Sequence, residues 1–149
     1  MQKLFLGCIF LLSAMITIAQ KNNTEAIKQV LGKYQAAIEK LDTAGVANLF
    51  TKNSIVYEQG SDEGTAAHYM EHHLGPEFKE FSSFKFSEYK VDIKLAGAYA
   101  FTAESYTYTI VLAKDGKESK SKGITTSVLQ KTKEGWKILQ SHNSFRRAK

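Results

Sequence analysis

The residues best suited to chemistry lie near the carboxyl end, on a predicted strand that begins at Trp136. Side chains alternate along a strand, so the apolar Trp136 and Ile138 predict an inward face. The same face would carry Gln140, His142 and Ser144. Polar groups that point into a core need hydrogen-bond partners or a ligand. We therefore expect His142 to act as a base or as a hydrogen-bonding group of a pocket; a histidine satisfied within the structure is the alternative.

A second group of histidines lies on a predicted helix that begins near Thr65. His73 and Glu77 are four residues apart, so they stack on one side of this helix if it continues past Gly75. Such a pair can orient the imidazole as a base or hold it charged. An ordinary helix-stabilising ion pair is the alternative interpretation.

The run His68-Tyr69-Met70-Glu71-His72 on the same helix matches a short zinc motif, in which two histidines hold the metal and a glutamate activates water. Proteases with this motif need a larger scaffold and a distant third ligand. By the helical rotation of about 100° per residue, His68 and His72 also fall on the flank opposite His73. We therefore predict no metal site and no cofactor, with His68 and His72 as the residual metal candidates.

Three further residues are candidate ligand contacts. Tyr57 shares the parity of Ile55 on the first predicted strand, and Tyr106 lies on a later one; both phenols could donate to a ligand oxygen. Packing in the core or at a dimer face is the alternative. Glu58 has the opposite parity to Tyr57, and Gly60 in the following loop would let it turn toward a pocket.

Helical periodicity and strand alternation predict the elements that must position these residues. Apolar residues recur at helical spacing from Ile27 to Leu41, and Asp42 is a predicted N-cap of a short second helix. The third helix is expected to kink or restart at Pro76. Predicted strands cover residues 54–59, 84–95, 99–112, 119–131 and 136–145, and tight turns join the last four.

The strand from Phe84 is predicted to contain a β-bulge near Ser87 and Glu88. Phe84 and Phe86 share one parity, whereas the apolar residues from Val91 onward share the other. A bulge there would bend the strand. Helices followed by a long, bent antiparallel sheet predict an α+β fold, in which the sheet wraps around the helices as a cone.

The amino-terminal segment predicts export. An apolar run from Leu4 to Ile18 follows Lys3 and ends at Ala19, which is typical of a secretory signal peptide; a membrane anchor is the alternative. We expect residues 1–19 to be removed and residues 20–149 to form one periplasmic or secreted domain, without membrane attachment after cleavage. Cys8, the single cysteine of the sequence, would leave with the signal.

The formal net charge is +5, and much of the excess lies in the runs 114–122 and 146–149. An anionic partner is one interpretation, and a solvated hairpin tip and tail is the other. The basic residues do not form a stripe interleaved with stacking aromatics, so we expect no nucleic-acid partner.

The order of elements, with the ending Gly135-Trp136-Lys137-Ile138 and then His142-Asn143-Ser144, resembles the nuclear-transport-factor-2-like superfamily. Within it, the sequence is similar to SnoaL-like domains and to the association domain of calcium/calmodulin-dependent protein kinase II. The resemblance implies a conical fold, frequent dimerisation through the outer sheet face, and a pocket between helices and sheet. It implies no single activity, since members include isomerases, cyclases, dehydratases, binding modules and assembly domains.

We therefore expect an exported SnoaL-like homodimer that binds a small, partly apolar molecule in the pocket of the cone. Its predicted lining is Tyr57, Glu58, Tyr106, Gln140, His142 and Ser144, together with the His73 and Glu77 pair.

Two alternatives stay open. The first is an enzyme of the isomerase, cyclase or dehydratase type, in which His142 or His73 moves a proton and a tyrosine donates to the developing oxyanion. A neutral carboxylic acid would help such a reaction, but the parity of Glu104 does not assign it that role. The second is a dimeric assembly module with Thr107, Thr109, Thr125 and Ser127 on its outer sheet face.

Overall fold

The computed structural model describes residues 2–148, and the side chains of residues 20–148. The predicted signal peptide, residues 1–19, lies outside the described side chains, so its cleavage stays a prediction. Within the described part of the chain, no helix is long and apolar enough to cross a membrane.

The helices form one layer. They are α1 (Gln2–Glu39), α2 (Thr43–Ala47), α3 (Ala66–Tyr69) and α4 (Gly75–Glu80), with a π-helical turn (Met70–Leu74) between the last two. Ile27, Leu31 and Ile38 of α1 are buried, as their helical spacing predicts. Asp42 caps α2 as predicted, because its carboxylate accepts a hydrogen bond from the Gly45 amide at 2.9 Å.

The predicted interruption at Pro76 is confirmed. The chain leaves the π-helical turn at Leu74 and starts α4 at Gly75, with Pro76 in its first turn. Pro76 has no amide hydrogen to donate into a continuous α-helix, so the wider turn and restart suit this sequence. A Cβ at Gly75 would clash with the Met70 carbonyl oxygen, which explains why a glycine stands there.

A six-stranded curved sheet forms the second layer. Its strands are β1 (Phe50–Glu58), β2 (Ser61–Asp62), β3 (Phe81–Ala96), β4 (Tyr99–Leu112), β5 (Glu118–Thr132) and β6 (Gly135–Arg147). Their spatial order is β2-β1-β6-β5-β4-β3, so the sheet is open and not closed into a barrel. The predicted α+β class and the antiparallel meander from β3 to β6 are confirmed.

The sheet differs from the expectation in one pairing, because β1 runs parallel to β6. The chain leaves β1 through the short helices and the meander before it returns beside β1. A parallel pair requires a long connection of this kind. The sheet is therefore mixed.

Two β-bulges within the long strands decide which side chains face the helices, and a further register shift lies at the start of β3, between Phe81 and Ser83. The bulge predicted in β3 is confirmed: the register shifts between Ser87 and Lys90, and Glu88 has a φ of 54°. A second bulge lies in β6, where Ile138 and Gln140 pair with successive residues of β5 and Leu139 is the extra residue. Each bulge reverses which side chains face the helices.

Candidate functional site

A cavity of about 280 Å³ lies between the helices and the inner face of the sheet. The helices contribute residues from α1, α3, the π-helical turn and α4, and the sheet contributes inward side chains. The lining residues are mostly aromatic or aliphatic, with a few acids and small polar groups: Tyr34, Ile38, Glu58, Tyr69, Leu74, Glu77, Phe81, Phe84, Phe86, Tyr106, Tyr108, Ile110, Ser119, Ser121, Asn143 and Phe145.

Aromatic rings in mutual contact form the sheet wall of the cavity. Phe84 stacks on Tyr108 with ring centroids 5.1 Å apart and planes at 18°. Phe86 meets Tyr106 edge to face at 5.1 Å, and Phe145 meets Tyr108 edge to face at 5.9 Å. Aromatic pairs in these geometries stabilise each other beyond the burial of their area. The wall is therefore a packed surface that presents ring atoms to the cavity.

Glu58 and Tyr69 form a buried polar pair on the helix side. Glu58 is 9% exposed and accepts a hydrogen bond at Oε2 from the Tyr69 hydroxyl. Burial raises the pKa of Tyr69 above its usual range, and the negative charge of Glu58 adds to this rise. Burial likewise raises the pKa of Tyr34. Both phenols therefore stay protonated, and Tyr69 donates its hydrogen to Glu58.

A hydrogen-bonded chain crosses the sheet side of the site. Thr125 donates from Oγ1 to Asn143 Oδ1 at 2.9 Å, and the same Oγ1 lies 2.8 Å from the Tyr106 hydroxyl. A threonine hydroxyl has one hydrogen, so Tyr106 donates to Thr125. Burial raises the pKa of Tyr106 to about 12, which keeps this donor protonated. A Cβ at Gly123 would clash with the Tyr106 ring, so the glycine makes room for this tyrosine.

A second carboxyl is buried next to the cavity. Glu104 is 5% exposed and accepts a hydrogen bond from the Tyr89 hydroxyl at 2.8 Å. Burial raises the pKa of Glu104 to about 7, although the hydrogen bond from Tyr89 opposes the rise. The parity noted in the sequence is correct, since Glu104 faces inward with Tyr106.

His73 contacts two carboxylates at the rim of the cavity. Its Nδ1 lies 3.0 Å from Glu63 Oε2, and its Nε2 lies 3.5 Å from Glu77 Oε1. Burial lowers the pKa of His73, but the hydrogen bond to Glu63 and the charges of Glu77 and Glu58 outweigh it, and the pKa is raised. The structure thus brings His73 and Glu77 together, and Glu77 is the one that lines the cavity. Carboxylates near both nitrogens favour the protonated imidazole, which makes His73 a weaker candidate for a free base.

The expectation for β6 is wrong. Gln140, His142 and Ser144 are exposed on the outer face, whereas Ser141 is buried and Asn143 lines the cavity. The bulge at Leu139 is the reason, because one extra residue reverses the parity that Trp136 and Ile138 establish.

The first strand and the outer face also require corrections. Val56 faces the core, so Glu58 points inward by parity and Tyr57 points outward, where its ring meets His142 edge to face at 6.3 Å. Thr125 and Ser127, expected on an outer assembly face, are buried on the inner face. Their strand places Ser121, Gly123 and Leu129 inward as well.

The two residual metal candidates lie on the surface. The rings of His68 and His72 are 4.4 Å apart, and both residues are exposed. His68 Nδ1 is within 3.0 Å of the Glu63 carbonyl oxygen. Among the residues that the structure describes, no group of three or more His, Cys, Asp or Glu side chains could hold a metal ion.

Several cavity residues were missed from the sequence. Tyr34 and Tyr69 lie at helical spacing with apolar neighbours, so each is predicted to be a core residue. The available signal was the tyrosine hydroxyl, which needs a hydrogen-bond partner when it is buried. Asn143 was assigned outward with the wrong parity. Phe145 was the available signal for the change of face in β6: it is apolar, but its parity is opposite to that of the inward Trp136 and Ile138.

Comparison with known proteins gives one family match. A family model described as a SnoaL-like domain matches residues 27–148. No curated protein matches the sequence.

Solved structures with a similar fold are numerous. A nuclear transport factor 2 (NTF2-like) superfamily protein from Salmonella enterica is 21% identical with a TM-score of 0.78, covering 87% of this chain and 94% of that one. A candidate dehydratase from the NTF2-like family from Streptomyces avermitilis is 14% identical with a TM-score of 0.75, covering 86% and 99%. The hexachlorocyclohexane dehydrochlorinase LinA-type3 from Novosphingobium barchaimii is 10% identical with a TM-score of 0.72, covering 89% and 91%. At these identities the likeness shows the fold alone.

Proposed function

The chain belongs to the SnoaL-like domain family and has a nuclear-transport-factor-2-like fold, and from this premise we propose that it binds a small, mainly apolar molecule in the cavity of the cone. The observation that carries the proposal is the cavity itself, in which aromatic rings surround a few hydrogen-bonding groups. Ligand sites in proteins combine mostly apolar walls with a small number of placed polar groups.

The size of the cavity limits the ligand. Its volume of about 280 Å³ lies near the lower end of the range for ligand pockets, roughly 300–1,000 Å³. A molecule of one substituted ring, or an aliphatic body of similar bulk, matches this space. A large lipid or a polymer does not.

Polar groups on both sides of the cavity would orient the ligand. Glu58 and Tyr69 lie on the helix side, and Ser121 and Asn143 lie on the sheet side. The network that holds Tyr106, Thr125 and Asn143 fixes the sheet side before any ligand arrives. Groups positioned in advance reduce the entropic cost of binding.

The test uses three single-ring probes of one size, benzyl alcohol, benzylamine and benzoate, titrated into the protein and followed by amide chemical shifts in two-dimensional NMR. We expect at least one probe to shift amides around the cavity, and we expect Ser121→Leu to abolish these shifts by filling the space. Lys120→Leu, one residue away on the exposed outer face, is the matched control and should bind as the wild type does. The proposal would be refuted if Ser121→Leu bound the probes as the wild type does, or if no probe bound to the wild type.

A second candidate function is proton-transfer catalysis, and the position of Glu77 favours it. Glu77 lines the cavity, and burial raises the pKa of its carboxyl although the charge of His73 opposes the rise. A raised pKa brings a carboxyl closer to the range in which general acids and bases work. Two of the similar structures carry names of elimination enzymes, the candidate dehydratase and the dehydrochlorinase.

An assay of water elimination tests this catalytic function. The substrates are small β-hydroxy carbonyl compounds, and the conjugated product is followed by its ultraviolet absorbance. Turnover that Glu77→Gln removes and Glu71→Gln retains would support it. Glu71 lies on the π-helical turn, is more exposed than Glu77 (76% against 46% of the side chain) and does not line the cavity.

We also propose that the outer sheet face forms a homodimer. Phe101 and Ile124 are 51% and 58% exposed there, and exposed apolar residues that share a face favour association. Sedimentation equilibrium should show a dimer that Ile124→Lys converts to a monomer. Glu134→Lys, in the turn between β5 and β6, is the control for the added charge and should remain dimeric.

A further inference from the structure

The charged groups of the cavity have one sign. Glu58 and Glu77 line it, and among the described residues no lysine, arginine or histidine does. The chain as a whole is basic, with a formal net charge of +5. Lys120 and Lys122 of β5 are exposed on the opposite face of that strand. The sheet therefore separates the acids of the cavity from these two lysines.

Glu58 is buried without an ion-pair partner in the part of the chain that the structure describes. Its charge raises the pKa of His73, but His73 is paired with Glu63 and Glu77 instead. Glu58 is 9% exposed, and its carboxylate accepts a hydrogen bond from the Tyr69 hydroxyl. Among the described side chains, none forms an ion pair with it. A buried carboxylate is costly unless a counter-charge and further hydrogen bonds compensate it. One hydrogen bond from a phenol supplies a part of this compensation, and a positive group in the cavity would supply the rest.

The aromatic wall can also stabilise a positive charge. Tyr34, Phe86, Tyr106 and Tyr108 line the same cavity as Glu58. The negative face of an aromatic ring attracts a cation within about 6 Å of its centroid, and cages of such rings recognise substituted ammonium groups. An anionic ligand would instead be repelled by the carboxylates and by the negative faces of the rings.

We propose that the ligand is an organic cation, an ammonium group on a small apolar body, with its charge against Glu58 and the rings of Tyr34 and Tyr106. The inference rests on the proposed binding function and narrows it to one class of ligand. A primary amine could in addition donate a hydrogen bond to Glu58, whereas a quaternary ammonium would rely on charge and ring contacts.

The three single-ring probes separate this inference from the binding function, because they differ mainly in charge. At neutral pH, benzylamine is a cation, benzyl alcohol is neutral and benzoate is an anion. We expect benzylamine to bind roughly tenfold more tightly than benzyl alcohol, and benzoate to bind most weakly. Benzyltrimethylammonium is the fourth probe: affinity equal to that of benzylamine indicates ring and charge recognition, and weaker affinity indicates a hydrogen bond to the carboxylate.

Glu58→Gln gives the decisive comparison, since the amide keeps the shape and the acceptor for Tyr69 but removes the charge. The variant should lose roughly tenfold more affinity for benzylamine than for benzyl alcohol, because only benzylamine carries a charge opposite to that of Glu58. Glu71→Gln, an exposed acid on the π-helical turn, is the control and should change neither. The amide spectrum of Glu58→Gln shows whether the variant is folded.

Benzyl alcohol or benzoate binding at least as tightly as benzylamine would overturn the cation inference and leave the binding function intact. An unchanged benzylamine affinity in Glu58→Gln would overturn it as well. Failure of every probe to bind in the cavity would instead remove the binding function on which the inference rests.

Discussion

The two faces of β5 and β6 carry different chemistry on one backbone. Inward side chains such as Ser121 and Asn143 line the cavity, and Thr125 bonds to Asn143 on the neighbouring strand. Outward side chains include Lys122 and Arg146, which line a shallow groove of about 700 Å³ together with neighbouring residues. The inner side chains are held by contacts with the rest of the protein, whereas the outer side chains are exposed to solvent.

This difference between the faces sets the expected size of each substitution. An inward side chain loses packing or a hydrogen-bond partner when it is truncated, and the cost includes the cavity that remains. An outward side chain returns to water at little cost. Matched pairs of substitutions on the two faces therefore test whether the assignment of each residue to its face is right.

The largest effect is expected for the aromatic pair Phe84 and Phe101. Phe84 is 9% exposed on the inner face and stacks on Tyr108, whereas Phe101 is 51% exposed on the outer face. Phe84→Ala should lower the free energy of unfolding by about 3–5 kcal/mol, and Phe101→Ala by under about 1 kcal/mol. Urea denaturation followed by tryptophan fluorescence measures both.

If the loss of free energy of unfolding in Phe101→Ala grows with protein concentration, the additional loss comes from the proposed dimer. Measurement in dilute solution removes this contribution. Equal costs for the two variants in dilute solution would contradict the assignment of faces.

The next effect is a pH dependence of stability that comes from the inner face. The folded pKa of Glu104 is about 7, raised by burial from an ordinary value of 4.5. Between these values the folded protein holds a proton that the unfolded chain has released, so stability falls as pH rises through this window and is level above it. The loss is on the order of 3 kcal/mol.

Glu104→Gln removes this titration. The variant should be more stable than the wild type at pH 8, with an advantage that shrinks toward zero below pH 5, measured by urea denaturation across the pH range. Asp92→Asn, which changes an exposed acid on the outer face of β3, should follow the wild-type slope. His73 and Glu77 remain in every variant, so the difference between curves isolates Glu104. A Glu104→Gln curve parallel to that of the wild type would show that this carboxyl is ionised in the folded protein.

The two bulges explain how far the sequence predicts the site. In β3, apolar residues stand on both sides of the bulge, so the change of parity from Phe86 to Val91 locates it. In β6, the residues from Gln140 to Ser144 are polar on both parities, and alternation carries no information there. Phe145 was the single apolar marker beyond Leu139, and it points inward.

In β1 the inward face could not be predicted because apolar residues occur on both faces, whereas in β6 polar residues do. Ile55, Val56 and Tyr57 are all apolar or aromatic, so hydrophobicity did not separate the inner from the outer face. Pairing decided it: β1 lies beside β6, and Glu58 pairs with Asn143, which also faces the cavity. The elements and the cone were predictable from local patterns, whereas the identity of the cavity residues depended on the register of one strand pair.

The smallest effect is expected for His142, and it tests the register of β6 directly. His142 is exposed on the outer face, and the adjacent Asn143 accepts a hydrogen bond from Thr125 on the inner face. His142→Ala should change the free energy of unfolding by less than about 0.5 kcal/mol and leave probe binding unchanged. Asn143→Ala should cost about 1–3 kcal/mol, because Thr125 loses its acceptor in a partly buried site. Urea denaturation and the NMR titrations with benzylamine measure both variants. The reverse order, with His142→Ala the more damaging of the two, would mean that Leu139 does not form a bulge and that the histidine lies inside the cone.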